Sequence, residues 1–282
     1  LKSIQMELIK LDLNCIKKLY KKRPCDSHKG THGHALLIAG SSDKIGAAII
    51  ASKACLRSGV GLLTVVFSPE NKNVLFNSVP EAMYENTCVM NDLSHYQAIG
   101  IGPGIGVDEI SLQYIYELYE NNLPVVFDAD ALNLIGKYKI DWNNFNFPFV
   151  LTPHPKEFDR LFGEHISETE RRNTAIQKAK ELNCVIVLKG HKTFITNGIH
   201  SFENTTGNSG LAKGGSGDAL TGMITSFLAQ GYTTLEAAKL GVYLHGLAAD
   251  ITLQTQSEES MLITDVIENI GLAFKHLNSE IQ

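Results

Sequence analysis

The chain has 282 residues and a net charge of −5, with 44% apolar and 20% charged residues. Those values fit a soluble globular protein of one large α/β domain or two small ones, and they argue against nucleic-acid binding as its main business. Five scattered cysteines without a C-x-x-C pair read as reduced thiols, and no apolar stretch approaches the ~18 residues of a membrane span, so a cytoplasmic protein is expected.

Residues 1–24 read as an N-terminal extension of helical character, with Lys17, Lys18, Lys21, Lys22 and Arg23 on its wet face. His28, His32 and His34 follow at spacings that match no zinc motif and read as a surface turn. Beyond them, short apolar runs alternate with longer helical patterns. Strands are expected at Ala35–Ala39, Leu62–Phe67, Ala98–Ile101, Val125–Asp128, Phe149–Thr152, Val185–Lys189 and Thr193–Thr196. Helices are expected at 46–58, 108–120, 155–162, 168–182, 216–230, 234–254 and 262–277. This alternation predicts an α/β fold with a mostly parallel central sheet, and the absence of repeats or linkers predicts a single domain over 25–282.

In such sheets ligands bind beyond the carboxyl ends of the strands. The unusual residues fall there: Gly40-Ser41-Ser42, Gly102-Pro103-Gly104-Ile105-Gly106, Asp128-Ala129-Asp130, Thr152-Pro153-His154-Pro155 and Lys189-Gly190. No P-loop or G-x-G-x-x-G dinucleotide fingerprint occurs. Gly214, Gly215, Ser216 and Gly217 instead precede Asp218 at the start of a helix. Their N–H groups would cradle an anion, and a carboxylate beside that anion points to a base for an attacking hydroxyl. A helix cap formed by Ser216 or Asp218 explains the same residues. Lys189 either snorkels to solvent or reaches an anionic ligand. Asp128 and Asp130 read equally as acid/base groups, magnesium-shell ligands or helix caps.

Taken in order, His28-Lys-Gly-Thr-His-Gly, Leu36-Leu-Ile-Ala-Gly-Ser, Ser58-Gly-Val-Gly-Leu-Leu-Thr-Val, Gly102-Pro-Gly-Ile-Gly, Asp128-Ala-Asp-Ala-Leu-Asn, Leu151-Thr-Pro-His-Pro-Lys-Glu-Phe, Val187-Leu-Lys-Gly-His-Lys-Thr, Thr206-Gly-Asn-Ser-Gly-Leu-Ala-Lys-Gly-Gly-Ser-Gly-Asp and Tyr243-Leu-His-Gly-Leu-Ala-Ala-Asp resemble one family. It is the ADP/ATP-dependent NAD(P)H-hydrate dehydratases of the ribokinase-like superfamily, in their standalone form, since the chain leaves no room for the epimerase domain of bifunctional members. The resemblance implies a three-layer α/β/α fold. It also implies phosphorylation, by ADP or ATP with Mg2+, of the C6 hydroxyl of the S form of NADH hydrate or NADPH hydrate, followed by phosphate loss.

By the same resemblance, Asp218 is the base and contacts the hydrated dinucleotide, and the 214–217 backbone is an anion hole. Lys189, Gly190, His191, Lys192, Thr193 and Gly217 line the adenine nucleotide. Ala47, Gly104 and His154 line the hydrated dinucleotide, and Lys213 adds positive charge near the phosphates. No protein ligands for the metal are assigned. A homotetramer is implied, as is a separate epimerase acting on the R form. Two alternatives share parts of the pattern: a vitamin-precursor or sugar kinase of the same superfamily, and a non-catalytic nucleotide sensor. A substrate panel separates the first. Dinucleotide binding without turnover would favour the second.

Overall fold

The computed structural model describes residues 7–67, 69–86 and 92–278, so residues 1–6 of the extension and Cys88 lie outside the described residues. The strands are β1 (Leu8–Leu11), β2 (His34–Ile38), β3 (Leu62–Val66), β4 (Met83–Glu85), β5 (Ala98–Ile101), β6 (Val125–Phe127), β7 (Phe149–Leu151), β8 (Val185–Leu188), β9 (Phe194–Thr196) and β10 (Ser201–Asn204). They form one sheet in the order β1-β10-β9-β8-β7-β6-β5-β2-β3-β4. Neighbours run parallel except around β9, which is antiparallel to both β8 and β10. The helices are α1 (Leu13–Leu19), α2 (Ile45–Arg57), α3 (Lys72–Ser78), α4 (Glu109–Glu117), α5 (Ala129–Tyr138), α6 (Pro155–Phe162), α7 (Glu168–Glu181), α8 (Ser216–Ala229), α9 (Thr234–Thr252), α10 (Ile263–Glu268) and α11 (Ile270–Asn278).

Central strands such as β6 and β8 are buried at every residue because helices cover both faces of the sheet. On one face Ala51 of α2 and Met223, Ile224 and Phe227 of α8 pack with Leu37, Val126 and Val150. On the other, Ile115 of α4, Leu134 of α5, Phe158 of α6 and Ala175 of α7 pack with Ile99, Phe127 and Ile186. The result is the expected three-layer α/β/α arrangement. Helix starts are marked by side chains that accept from free backbone N–H groups: Asp108 for α4, Ser167 for α7, and Thr233 with Glu236 for α9.

Helices α2 and α8 pack at unusually short range. A Cβ on Gly222 would lie 2.1 Å from the carbonyl oxygen of Ala51. Gly222→Ala should therefore force the two helices apart and cost about 1–3 kcal/mol. A lowered urea midpoint checks this, and a native midpoint would contradict the packing.

Several elements differ from the expectations drawn from the sequence. The N-terminal segment adds a strand as well as a helix, since β1 pairs in parallel with β10. The wet helical face is shorter than expected: α1 stops at Leu19, and Lys21 lies beyond it, its ammonium over the Tyr232 ring. The helix expected over 262–277 is two helices, broken at Asn269, whose side chain donates to Thr252 Oγ1 at 3.0 Å and to the Asp265 carbonyl at 3.1 Å. Strand β9 begins at Phe194, one residue late. Strands β4 and β10 and helices α3 and α5 were not foreseen.

Candidate active site

The carboxyl ends of the central strands are tied together by backbone hydrogen bonds. Gly40 N donates to the Pro103 carbonyl at 2.7 Å, Asp128 N to Ile101 at 3.0 Å, Thr152 N to Phe127 at 3.1 Å and Lys189 N to Pro153 at 2.9 Å. Residues far apart in sequence are thereby fixed on one rim, as expected for a ligand crevice in an open α/β sheet.

Helix α8 delivers the glycine segment to that rim. Gly215 has φ +92°, a left-handed conformation open to glycine, and a Cβ there would lie 2.7 Å from Cδ1 of Ile50. The turn places Ser216, Gly217 and Asp218 in the first turn of the helix. Ser216 N donates to the Lys213 carbonyl at 3.4 Å and Ala219 N to that of Gly215 at 2.9 Å. The N–H groups of Gly217 and Asp218 have no earlier helical carbonyl to bond and form the free N-terminal end of α8, where the helix dipole favours an anion. We expect Gly215→Val to strain this turn and lower kcat by about 100-fold, the scale of an ångström of misplacement. Native kcat in a folded variant would place the cradle elsewhere.

Beneath this turn lies a buried ion pair. The Asp128 carboxylate is 1% exposed; Lys189 Nζ donates to its Oδ1 at 2.8 Å and Thr221 Oγ1 to its Oδ2 at 2.8 Å. Burial alone would raise the Asp128 pKa, but the Lys189 charge and these hydrogen bonds together bring it below the usual carboxylate value. A Cβ on Gly217 would lie 3.1 Å from Lys189 Nζ and 3.5 Å from Asp128 Oδ2, so the pair abuts the helix start. Glu157 stands 4.0 Å from Lys189, and burial raises its pKa.

Asp218 sits in the field of this pair. Burial pushes its carboxyl up to about 6, Asp128 adds to the rise and Lys189 opposes it. Asp130 adds a smaller rise that Lys44 opposes, and the two pair with each other at 3.0 Å. A carboxylate poised near neutrality at an anion cradle can take a proton from a hydroxyl and hold it.

A cavity of about 560 Å³ opens next to the cradle. Of the expected site residues, His154, Lys189, Gly190, His191, Thr193, Ser216 and Gly217 line it. Asn204, Thr206, Asn208, Leu211, Leu220, Val242 and His245 join them, none of which carried an assigned role. Lys192, Gly214, Gly215 and Asp218 flank these residues in sequence but are not among its lining. Lys192 lies 3.7 Å from Glu203. Ala47 and Gly104 belong to a different corner, where a Cβ on Gly104 would be 2.8 Å from that of Ala47.

His154 is also the N-cap of α6: Nδ1 accepts from Lys156 N at 3.1 Å and Glu157 N at 3.3 Å. Burial and then Lys189 lower its pKa, in keeping with a neutral ring that accepts at Nδ1. The Lys213 ammonium is turned away from the phosphate role expected of it, donating to the carbonyls of Glu259 at 2.5 Å and Met261 at 2.7 Å. Asp128 and Asp130 cap nothing with their side chains, for Asp130 instead accepts from Gly106 N at 2.9 Å and pairs with Lys44. Thr221 was missed, although its i+3 spacing from Asp218 puts both on one helix face.

The profile of the NAD(P)H-hydrate dehydratase family matches residues 35–271. An ADP-dependent (S)-NAD(P)H-hydrate dehydratase of Bacillus subtilis is 36% identical over 266 residues, covering 90% of this chain and 94% of the relative. A bifunctional NAD(P)H-hydrate repair enzyme of Vibrio cholerae is 33% identical across 93% of this chain, which spans 54% of that longer protein. The crystal structure of the Bacillus subtilis ADP/ATP-dependent NAD(P)H-hydrate dehydratase, co-crystallized with ATP and Mg2+, superposes with a TM-score of 0.88 at 34% identity, covering 96% of this chain and 99% of the other. With family profile, full-length relatives and fold in agreement, the chain belongs to the NAD(P)H-hydrate dehydratase family.

Proposed function

We propose that this protein dehydrates the S form of NADH or NADPH hydrate at the expense of ADP, or of ATP in its place. Asp218 accepts the proton of the C6 hydroxyl as its oxygen attacks the terminal phosphoryl group. The transferring group is held by the free N–H groups at the start of α8, which stabilise its charge without reorganising. The C6–O bond then breaks, with phosphate as leaving group and the ring nitrogen's electron pair supplying the push. Loss of a proton from C5 restores the dihydronicotinamide. With ADP the products are NAD(P)H, AMP, phosphate and a proton.

The observation that carries this reading is the placement of Asp218. It is a half-buried carboxylate with its pKa near 6, at the N-terminus of a helix entered through a left-handed glycine, beside a nucleotide-sized cavity. The nucleotide would occupy that cavity along Lys189, Gly190, His191, Thr193 and Gly217, with Lys192 at its edge. The hydrated ring would approach Asp218 from the side of Ala47 and Gly104, with His154 between the two ligands. Among the described residues no three His, Cys, Asp or Glu side chains converge to hold a metal. Mg2+ would enter with the nucleotide phosphates and neutralise part of their charge.

The same reading makes the protein a cytoplasmic homotetramer that works beside an epimerase for the R form. Among the described residues no helix is long and apolar enough to cross a membrane. Quantifying AMP and phosphate against NADH formed from purified S hydrate tests the proposal. Equal amounts are expected, and NADH formation without nucleotide consumption would refute it.

A further inference from the structure

The two carboxylates of Asp128-Ala129-Asp130 serve different parts of the site. Between them Ala129 has φ +45°, a left-handed conformation that is rare outside glycine and persists only where its neighbours enforce it. Asp128 engages Lys189 and Thr221, beside the nucleotide cavity. Asp130 engages the corner of Ala47 and Gly104 instead. Its Oδ2 accepts from Gly106 N at 2.9 Å and from Lys44 Nζ at 3.0 Å, so one oxygen joins three segments of chain. The Asp130 side chain is only 14% exposed, which sets this pair apart from an ordinary surface ion pair.

Both partners of Asp130 border that corner. A Cβ on Gly104 would lie 2.8 Å from that of Ala47 and 3.0 Å from that of Lys44, so the 102–106 loop abuts the start of α2. The loop has little stiffness of its own, since Gly102, Gly104 and Gly106 all take positive φ. Its near end is fixed where Gly40 N donates to the Pro103 carbonyl, and its far end is tied through Gly106 to Asp130. Lys44 precedes α2 without capping it through its side chain, and its ammonium reaches Asp130 instead.

We propose that Asp130 is a positioning residue for the hydrated dinucleotide: it locks the 102–106 loop to Lys44 at the start of α2 and so sets the shape of the surface on which that substrate lies. The assignment rests on the reading that the corner of Ala47 and Gly104 takes the dinucleotide. Asp130 touches no reacting atom. The charged groups acting on Asp218 are Asp128, Lys189, Asp130 and Lys44, and the two halves of the pair act in opposite senses, Asp130 raising its pKa and Lys44 lowering it.

Steady-state kinetics with the dinucleotide varied at saturating ADP, and the converse, test the proposal. Asp130→Ala should raise the KM for the dinucleotide about tenfold, the scale of a lost hydrogen bond to a charged group, and leave the KM for ADP native. Asp130→Asn can still accept from Gly106 N and should recover part of that loss. Lys44→Met, at a half-exposed position, should raise the same KM. The pH profiles should part: the acid limb of kcat/KM moves to lower pH in Asp130→Asn and to higher pH in Lys44→Met. A native dinucleotide KM in Asp130→Ala would overturn the proposal. So would an equal rise in both KM values, which marks general loosening, or acid limbs that move together. Should Asp130→Ala fail to fold, a native dinucleotide KM in Lys44→Met would overturn it equally. If the native protein shows no nucleotide-dependent dehydration, the parent reading of the site falls instead.

Discussion

Replacing Asp218 with asparagine is expected to reduce turnover by about a thousandfold, the upper range for loss of a general base, while making the folded protein more stable at neutral pH. Both effects have one origin. The Asp218 pKa stands near 6 against an ordinary 3.8, first because of burial and then because Asp128 lies close. Between those two values the folded protein binds more protons than the unfolded chain, so stability falls as pH rises through that window. Above it the folded state carries a cost of about 2–3 kcal/mol for keeping this carboxylate ionised. Asparagine keeps the shape and removes the charge. Its urea midpoint should exceed the native one at neutral pH, and the two should converge toward the acid end of the window. Native turnover in the variant would remove Asp218 from the chemistry, and equal midpoints at neutral pH would remove the electrostatic strain. In the native enzyme, kcat/KM should rise with pH through about 6 as Asp218 loses its proton.

Lys189→Met should be the most destabilising single change at the site. Methionine fills the space of the aliphatic stem but leaves the Asp128 carboxylate, 1% exposed, with Thr221 in place of a cation. Breaking a buried pair in this way costs about 3–5 kcal/mol. The catalytic consequence is a separate readout. Lys189 is the charge that most strongly opposes the rise in the Asp218 pKa, so its removal should shift the acid limb of the pH profile to higher pH. Nucleotide affinity should fall as well, because the cavity loses its buried cation. Lys189→Met, Asp128→Asn should recover stability but not nucleotide affinity. A single variant as stable as the native protein would mean that Asp128 is not ionised.

The layer architecture was legible because the central strands are covered on both faces and carry uninterrupted apolar runs, as Val185–Leu188 does. Edge strands gave weaker signals. Leu8 and Lys10 of β1 are exposed, and only the pairing with β10 makes this segment a strand. Helix α5 was hidden because Asp128-Ala-Asp-Ala-Leu-Asn looks like a reactive cluster, and Asp128 starts the helix without capping it through its side chain. The candidate site was legible as a list of residues but not as a set of contacts. The spacing of glycines and Asp218 announced an anion cradle, whereas the Lys189–Asp128 pair joins residues 61 apart and no local pattern encodes it. Lys213 read as a phosphate contact because sequence proximity to the cradle says nothing of the carbonyls at Glu259 and Met261 that hold it.

The most direct measurement is dihydronicotinamide absorbance on mixing the protein with the S form of NADH hydrate, Mg2+ and ADP, with Asp218→Asn in parallel. A nucleotide-dependent rise with the native protein, lost in the variant, is the predicted result. A flat trace from folded native protein with either ADP or ATP, or an undiminished rise from Asp218→Asn, would contradict the account.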